Sequence, residues 1–572
     1  MSVVSDSSTY PTKTQNQRPF RPFTTEMSPF ARSVYEQKYA WKNPDGSVAE
    51  DWSGTALRVT KNVLEALGIE PQHEEFQRVY ELIRDRKFMP GGRYLYASGR
   101  DLHQVQNCLL LRAEDSREGW AELLSNAAMA LQTGAGIGID YSDIRPSGTP
   151  IKRTGGVASG PLPLMRMVNE IGRGVMQGGA RRSAIWAGLN WNHGDIEAFI
   201  DIKNWAPILR QLKEDDFNFP LEMEFTNVSI LLDDLFFEAY GDPDHELHDK
   251  AQRVYHRGIK QMVKTAEPGF SVDIGDNAGE TLRNACTEVT SADDSDICNL
   301  GSINISRINS LDEMSEAVYY GTLFLLAGTV YSDVPYQKVD DIRTQNRRLG
   351  LGIMGIHEWL INRGYPYGPN DELASWMEEY ARSTDIAAEI AQSFDITPPI
   401  KTRAIAPTGT IGIVAETTTG IEPIFCVAYK RRVKTAQASG QDKISSQYVV
   451  DPTAKRAIEN GADPYEVEDA YVLSYNVEKR IAFQAWMQQF VDHGISSTIN
   501  LPQAITDPVE VKDFADLLME YLPQLRGITV YPDGARGGQP LTSVPYEMAI
   551  DKEGVVFEET EDAACKNGVC GA

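Results

Sequence analysis

An α/β fold, built as a barrel or as a doubly wound sheet, is what this sequence predicts, and three observations carry the prediction. Short apolar strand runs alternate with helical periodicity: Leu109-Leu110-Leu111 is followed by a helix pattern over residues 114–131, and the alternation returns through residues 184–203 and 349–359. A glycine-rich stretch, Thr133-Gly134-Ala135-Gly136-Ile137-Gly138-Ile139-Asp140, opens a strand directly after that helix, as a tight strand start does where the backbone needs room. With 572 residues, 42% of them hydrophobic, the chain can bury a large core.

Taken in order, residues 1–25 are polar and aperiodic and read as a disordered lead-in. Residues 26–87 form an N-terminal helical region. There Ala56, Val59, Val63 and Leu67 share a helical face that Gly68 ends. A second helix starts at Pro71, turns Phe76, Val79, Tyr80 and Ile83 inward, and stops before Phe88-Met89-Pro90-Gly91-Gly92. The main body, residues 88–550, begins at that point. Cys108 leads its first strand, and Glu114-Asp115-Ser116 caps a helix with Trp120, Leu123, Leu124, Ala127, Ala128 and Leu131 on one face. A strand-to-helix turn is expected at Ala406-Pro407-Thr408-Gly409-Thr410-Ile411-Gly412. Residues 551–572 are acidic and poor in apolar side chains, and read as a flexible tail.

The charge excludes some functions. With 55 basic against 81 acidic residues the net is −26, which disfavours nucleic-acid polymers and anionic membrane surfaces, so any phosphate site must be local. No run of about 18 apolar residues or signal peptide is visible, and an intracellular, cytoplasmic protein is expected. Six cysteines in a chain of this length read as reactive or incidental thiols in a reducing compartment. His245 and His248 form the only close histidine pair, in an acidic surface turn without a coherent ligand set, and no metal centre is expected.

The chemistry concentrates at Asn284-Ala285-Cys286-Thr287-Glu288. Side chains two apart in an extended or looped segment point the same way, so an amide, a thiol and a carboxyl can converge on one small ligand. A thiol supplies a radical or a nucleophile, and a carboxylate moves a proton in the same step. An isolated motif of this kind is more often a buried cysteine beside a solvated carboxylate. This one has company: Cys298 lies just downstream, Cys108 far upstream, and Cys565 and Cys570 sit near the C-terminus, where a flexible dithiol can exchange with a disulfide. The 406–412 turn can cradle a phosphate with backbone N–H groups and threonine hydroxyls. It lacks the Gly-Lys-Ser/Thr of an ATP-hydrolysing loop. Cys426 reads as a small buried residue.

At these residues, over roughly 75–572, the chain resembles the large catalytic subunit of ribonucleotide reductases, and is similar to compact virus-type members between the two-subunit and adenosylcobalamin-dependent groups. The resemblance implies a ten-stranded α/β barrel with the Cys286 loop threaded up its centre and no N-terminal ATP cone. It implies that Cys286 is the transient thiyl radical, that Glu288 takes the 3′-hydroxyl proton, and that Asn284 holds the sugar hydroxyls. Cys108 and Cys298 would supply two reducing equivalents, and Cys565 and Cys570 would reduce them by exchange with a thioredoxin- or glutaredoxin-type carrier. Substrate contacts fall on Gly92, Asn107, Gly136, Pro407, Thr408, Gly409, Thr410 and Ile411, with a diphosphate expected. Gly92 departs from the family's usual Ser or Thr. Asp115, Ser116, Arg145 and Arg181 would hold a deoxynucleotide effector, with an effector-induced homodimer, although Asp115-Ser116 reads equally well as a helix cap. The radical source is external. Tyr531 lacks the adjacent tyrosine usual in two-subunit enzymes, which favours adenosylcobalamin; Thr287 stands where cobalamin enzymes commonly have glycine, which favours a dimetal ferritin-like small subunit relaying through Tyr531. The second carries slightly more weight from sequence. A catalytically silent nucleotide-binding homologue would not need five cysteines in matched places, and residues 533–538 do not match a glycyl-radical motif.

Overall fold

Serine, aspartate and proline punctuate the N-terminal helices of the computed structural model, which describes residues 26–152, 155–177, 181–216, 219–435, 443–533, 541–552 and 555–558. Helix α1 (Pro29–Lys38) starts with Pro29 behind the Ser28 cap. Helix α2 (Trp52–Leu64) is capped by Asp51 and leads through a 3₁₀ turn to Gly68, whose φ of +71° ends it. Helix α3 (Glu74–Arg84) starts three residues after the expected Pro71. Helix α1 has no counterpart in the sequence-based elements.

The body is a mixed sheet of 10 strands. Strand β1 (Phe88–Pro90) lies on its margin. Five parallel strands follow: β2 (Cys108–Arg112), β3 (Gly136–Asp140), β4 (Ile185–Asn190), β5 (Thr226–Asp233) and β6 (Gly269–Asp273). Helix α4 (Arg117–Thr133) crosses from β2 to β3, and α5 (His248–Thr265) from β5 to β6. These strands are almost continuously buried, as parallel strands covered on both faces must be. A two-residue-per-strand hairpin then rises, β7 (Leu282–Arg283) against β8 (Thr290–Ser291). Strand β9 (Asp296–Asn304) pairs antiparallel with β2 through its first residues and parallel with β10 (Leu349–Met354) through its later ones. Helix α6 (Leu311–Tyr331) lies between β9 and β10; α7 (Gly409–Ala415) opens after the 401–406 segment, and β11 (Thr498–Leu501) and β12 (Gly527–Pro532) complete the sheet, β12 antiparallel to β6.

Backbone hydrogen bonds carry the sheet round on itself. Leu351 N–H donates to Thr402 O and Ala404 N–H to Leu351 O, while Ile405 N–H donates to Gly494 O and Ser496 N–H to Ile405 O. The parallel bridges Leu351–Arg403 and Ile405–Ile495 thus insert residues 401–405 between β10 and the run leading into β11. The expected barrel is present, with β1 outside its ring.

Two large apolar cores lie outside the ring, one between α1–α3, α6 and β9–β10, the other under α4, α5 and β2–β6. A small third cluster lies within it: Leu282 and Val289 of the hairpin against Cys108, Leu110, Cys298 and Ala404. Burying Leu282 and Val289 stabilises the hairpin by roughly 1.5–3 kcal/mol each. Glycines let it through. A Cβ on Gly138 would lie 1.7 Å from Arg283 O, and across the ring a Cβ on Gly494 would lie 3.0 Å from Thr287 O.

Candidate active site

At the hairpin tip the backbone closes on itself: Thr287 N–H donates to Asn284 O at 3.0 Å, and Val289 N–H to Asn284 Oδ1 at 3.0 Å. Thr287 takes φ +69°, the left-handed conformation that glycine adopts most readily. The tip faces a cavity of about 500 Å³, whose lining includes Asn284, Cys286 and Glu288 from the tip, Asn107 and Cys108 from the start of β2, Gly136 from β3, and residues 406–411. The resemblance-based residues Gly92, Asn107, Gly136, Pro407, Thr408, Gly409, Thr410 and Ile411 all line this one cavity.

Cys286 is exposed, whereas Cys108, Cys298 and Cys426 are buried. Cys108 and Cys298 are direct partners in the antiparallel β2–β9 ladder. Opposed residues there have Cα atoms about 4.5–5.5 Å apart, inside the range that a disulfide spans. Burial pushes both thiols well up, and the Glu288 carboxylate pushes Cys108 further. Both thiols therefore keep their protons at neutral pH. Asn284 Nδ2 donates to Cys108 Sγ at 3.2 Å, tying the loop to this pair. Cys426 lies elsewhere, its thiol donating to Ala428 O at 3.3 Å.

Glu288 is 1% exposed, and its Oε2 has no hydrogen-bond partner among the described residues. Burial pushes its carboxyl up to about 7, against smaller opposing contributions from its own backbone and Asn284. It is a carboxyl poised to exchange a proton near neutrality.

The opposite wall is the 406–412 turn. Thr408 takes φ +50°, its Oγ1 accepts Gly420 N–H at 3.0 Å, and its carbonyl accepts Gly412 N–H at 2.7 Å to open α7. The first N–H groups of a helix lack intrahelical acceptors and suit an anion. A Cβ on Gly409 would meet nothing within 4 Å, so that backbone stands open to the cavity.

Comparison with known families matches residues 106–270, 250–392 and 401–531 to the ribonucleotide reductase barrel domain, and 25–103 to the ribonucleotide reductase all-alpha domain. The chain belongs to the ribonucleotide reductase large-chain family. It is 27% identical, over 95% of its length and 77% of the relative, to a vitamin B12-dependent ribonucleoside-diphosphate reductase of Thermoplasma acidophilum. It is 25% identical to a relative encoded by Mycobacterium phage D29, over 95% of this chain and 98% of that protein. An adenosylcobalamin-dependent ribonucleoside-triphosphate reductase of Euglena gracilis is 25% identical over 80% of this chain and 66% of its own length.

These relatives overturn the weight given to a dimetal small subunit. The missing glycine after Cys286 was one ground for that weight, beside the chain's short length and its likeness to compact virus-type large subunits, and Thr287 adopts the φ of +69° that glycine would take there. Tyr531 is half-buried in β12, in register with Asn500.

The other reductase positions separate. Asp115 and Arg145 form an ion pair at 2.6 Å. Ser116 caps α4, its Oγ accepting Gly119 N–H at 2.9 Å. Beside them is a cavity of about 220 Å³ lined by Glu114, Asp115, Glu122, Asp143 and Asp294 as well as Arg112 and Lys338. Arg181 pairs through its backbone with Gln177 in a short ladder; its side chain, like Cys565 and Cys570, lies outside the described residues. His245 and His248 engage backbone groups of Leu247 and Ala239 through ring nitrogens.

Sequence reasoning missed Lys38 and Tyr39, which end α1 and line the same cavity. The signal was Ser28-Pro29, a helix-start pair preceding Val34, Tyr35 and Tyr39. It also passed over Gly138, although the alternating glycines around it were noticed.

Proposed function

We propose that the chain reduces ribonucleotides to 2′-deoxyribonucleotides by thiyl-radical chemistry, as a single catalytic chain working with adenosylcobalamin, and that diphosphates are its substrates. The observation that carries this is the convergence of Cys286, Glu288, Asn284 and Cys108 on one cavity that also holds a phosphate-type helix start, with Cys298 opposite Cys108 in the strand ladder. The names of the Thermoplasma and Euglena relatives support the cofactor, and the Thermoplasma name supports the diphosphate.

The tip fits such a group, because Cys286, the residue that must give up a hydrogen atom, is the exposed thiol among the described cysteines. Bound adenosylcobalamin would supply the one-electron oxidant for that thiol, meeting the Ala285–Thr287 loop. The Cys286 thiyl then takes the 3′ hydrogen atom from the ribose. Glu288, ionised, accepts the 3′-hydroxyl proton, and the 2′-hydroxyl leaves as water with a proton from the buried thiol pair. Cys108 and Cys298 deliver two electrons and their remaining proton, which puts a hydrogen on the 2′ carbon, and end as a disulfide; Glu288 returns its proton to the 3′ oxygen, and Cys286 returns its hydrogen atom to the 3′ carbon. Asn284 holds the Cys108 thiol and the loop in place. Cys565 and Cys570 reduce the disulfide by exchange and are recycled by a thioredoxin- or glutaredoxin-type carrier.

The test is to incubate the chain with adenosylcobalamin, a dithiol and either CDP or CTP. Deoxycytidine diphosphate is expected without any second protein, and no deoxynucleotide from either substrate would overturn the reading. Replacing Cys565 and Cys570 by serine should stop repeated turnover with a thioredoxin-type reductant and spare about one turnover of the preloaded thiol pair. A deoxynucleotide effector at the Asp115–Arg145 end completes the proposal. Arg145→Ala should weaken effector control of base preference more than basal rate.

A further inference from the structure

Cys108 and Cys298 face each other across the β2–β9 ladder, yet the barrel treats the two sulfurs differently. Cys108 is 3% exposed and lines the cavity, whereas Cys298 is 0% exposed and is not part of the lining. Gly350 of β10 closes the far side of Cys298: a Cβ there would lie 3.4 Å from Cys298 Sγ and 2.9 Å from Asn299 O. A thiolate that opens a disulfide approaches one sulfur in line with the bond that breaks, on the side away from the sulfur that leaves. From the cavity, that approach leads to Cys108 Sγ. The charges differ in the same sense. Asp296 lies two residues before Cys298 on β9, on the same face of the strand, and Arg348 Nε donates to Asp296 Oδ2 at 2.6 Å. The β9–β10 register pairs Asn299 with Leu349, which brings Arg348, the preceding residue, alongside Cys298. Burial pushes both thiols up. Beyond burial, the Asp296 carboxylate pushes Cys298 further and the Arg348 guanidinium pulls it back, while the Glu288 carboxylate and the neighbouring thiols push Cys108 up against the Asn284 hydrogen bond.

We propose that the Cys108–Cys298 disulfide is opened with a fixed polarity: the incoming thiolate bonds to Cys108 Sγ, Cys298 leaves as the thiolate, and Arg348 is the positioning residue that holds a guanidinium beside the leaving sulfur. The inference rests on the reading of this pair as the reducing dithiol given above. One thiol of an entering dithiol loses its proton to water and forms the new S–S bond with Cys108 as the Cys108–Cys298 bond breaks, the electron pair going to Cys298. Cys298 then takes the proton of the entering dithiol's second thiol. That second thiolate attacks its own partner sulfur and expels Cys108, which takes a proton from water. The entering dithiol ends oxidised by two electrons, and the pair ends as two thiols. Arg348 acts through placement, because its guanidinium keeps its charge at every working pH. It is 2% exposed and pairs with Glu280 at 3.3 Å as well as with Asp296, so the cation beside Cys298 and the base of the Cys286 hairpin share one anchor.

The experiment uses the full chain carrying Cys286→Ser, Cys565→Ser and Cys570→Ser, with the Cys108–Cys298 disulfide closed by diamide. A limited amount of a monothiol, 2-mercaptoethanol, is added, the mixture is quenched in acid, unfolded and alkylated, and peptide mass spectrometry locates the adduct. The mercaptoethanol adduct is expected on Cys108 and the alkyl group on Cys298, by at least about tenfold over the reverse. Arg348→Met should slow reduction of the disulfide by dithiothreitol about fivefold, Arg348→Lys should stay within about twofold of the unsubstituted position, and Asp296→Asn should speed reduction about fivefold. A disturbance of packing alone would slow or speed Arg348→Met and Asp296→Asn alike, whereas the charge beside the leaving sulfur moves them in opposite directions. An adduct on Cys298, or on both sulfurs equally, overturns the proposed polarity whether or not the Arg348 variants fold. Equal rates in Arg348→Met and the unsubstituted protein overturn the role of Arg348. If diamide closes no disulfide between the two cysteines, the dithiol reading fails and takes this inference with it. If the unmodified chain forms no deoxynucleotide while the monothiol still adds to Cys108 alone, this inference stands and the reductase reading fails.

Discussion

Glu288 and Glu280 belong to the same hairpin and have opposite fates. Glu288, at the tip, is buried beside thiols and an amide with no cation against it among the described residues, and its carboxyl rises to about 7. Glu280, at the base, is half-buried, but Lys401, Arg348 and Arg526 converge on it and Thr290 Oγ1 donates to it at 2.8 Å, so the cations overcome the desolvation and hold it down at about 2. The base holds further pairs: Arg283 with Asp273, and Arg348 with Asp296 at 2.6 Å. Leu282 and Val289 separate the two environments by forming the dry collar of the inner cluster. A loop that must hold a reactive, proton-exchanging group cannot also be fixed by charges placed against that group, because each ion pair would pull the carboxyl out of its working range. The hairpin keeps its ion pairs at its base and leaves an exposed thiol and a carboxyl near neutrality at its tip.

The sharpest way to break this division is at the thiol. Cys286→Ser leaves the loop nearly isosteric but replaces a weak S–H bond with a strong O–H bond. Deoxynucleotide formation should vanish while CDP binding by equilibrium dialysis survives. Formation of product by that variant would remove Cys286 from the role. Next is Glu288→Gln, which should lower kcat by roughly 10²–10⁴, the usual contribution of a positioned acid–base group. The parent's kcat should rise with pH and level off above about 7, as Glu288 ionises, and this limb should disappear in the variant.

Stability should move the other way for the two carboxylates. Glu288 has a folded value raised from 4.5 to about 7, so its contribution to stability is fully present below the unfolded value and is lost as pH rises through the folded one. Glu288→Gln removes that loss. At pH 8 the variant should melt above the parent, by at most about 3 kcal/mol, with the difference closing near pH 4. Glu280 is depressed, so its contribution is present above the unfolded value and disappears as pH falls toward 2. Glu280→Gln strands Lys401 and should destabilise by about 3–5 kcal/mol at pH 7, read as a lower melting temperature, with activity per folded molecule largely kept. Equal loss of melting temperature in both variants would erase the distinction between base and tip.

The tip was legible in the sequence and the base was not, for a physical reason. Asn284, Cys286 and Glu288 announce themselves because a thiol flanked by an amide and a carboxyl within five residues is a chemical pattern. Glu280, Lys401, Arg348 and Arg526 are ordinary charged residues whose meaning arises only when distant segments meet. The barrel was legible through apolar strand runs and the glycines of β3. Its closure through residues 401–405 was not, because that segment pairs by scattered backbone bonds rather than as a patterned strand. Ser116 shows the limit from the other side: one residue fitted a ligand contact and a helix cap equally, and the structure puts its hydroxyl on Gly119. Tyr39 was hidden because α1 is short and its partner, Gly92, reads as a plain turn glycine until the phenol is seen against it.

The smallest expected effect lies at the tip itself, at Thr287. Its φ of +69° puts a β-branched side chain in the left-handed region, at a cost of about 1–2 kcal/mol. Glycine would remove that cost and add back about 0.5–1 kcal/mol of unfolded-chain entropy. Thr287→Gly should therefore raise stability by less than about 1 kcal/mol, visible as a small shift in urea midpoint with unchanged slope. If the hairpin is held by its base and collar, as the ion pairs and inner cluster indicate, kcat should stay within about twofold and the pH limb of Glu288 should not move. A large drop in kcat with unchanged stability would mean instead that the threonine itself stiffens the tip, and that anchoring and chemistry are not divided between the two ends of the hairpin.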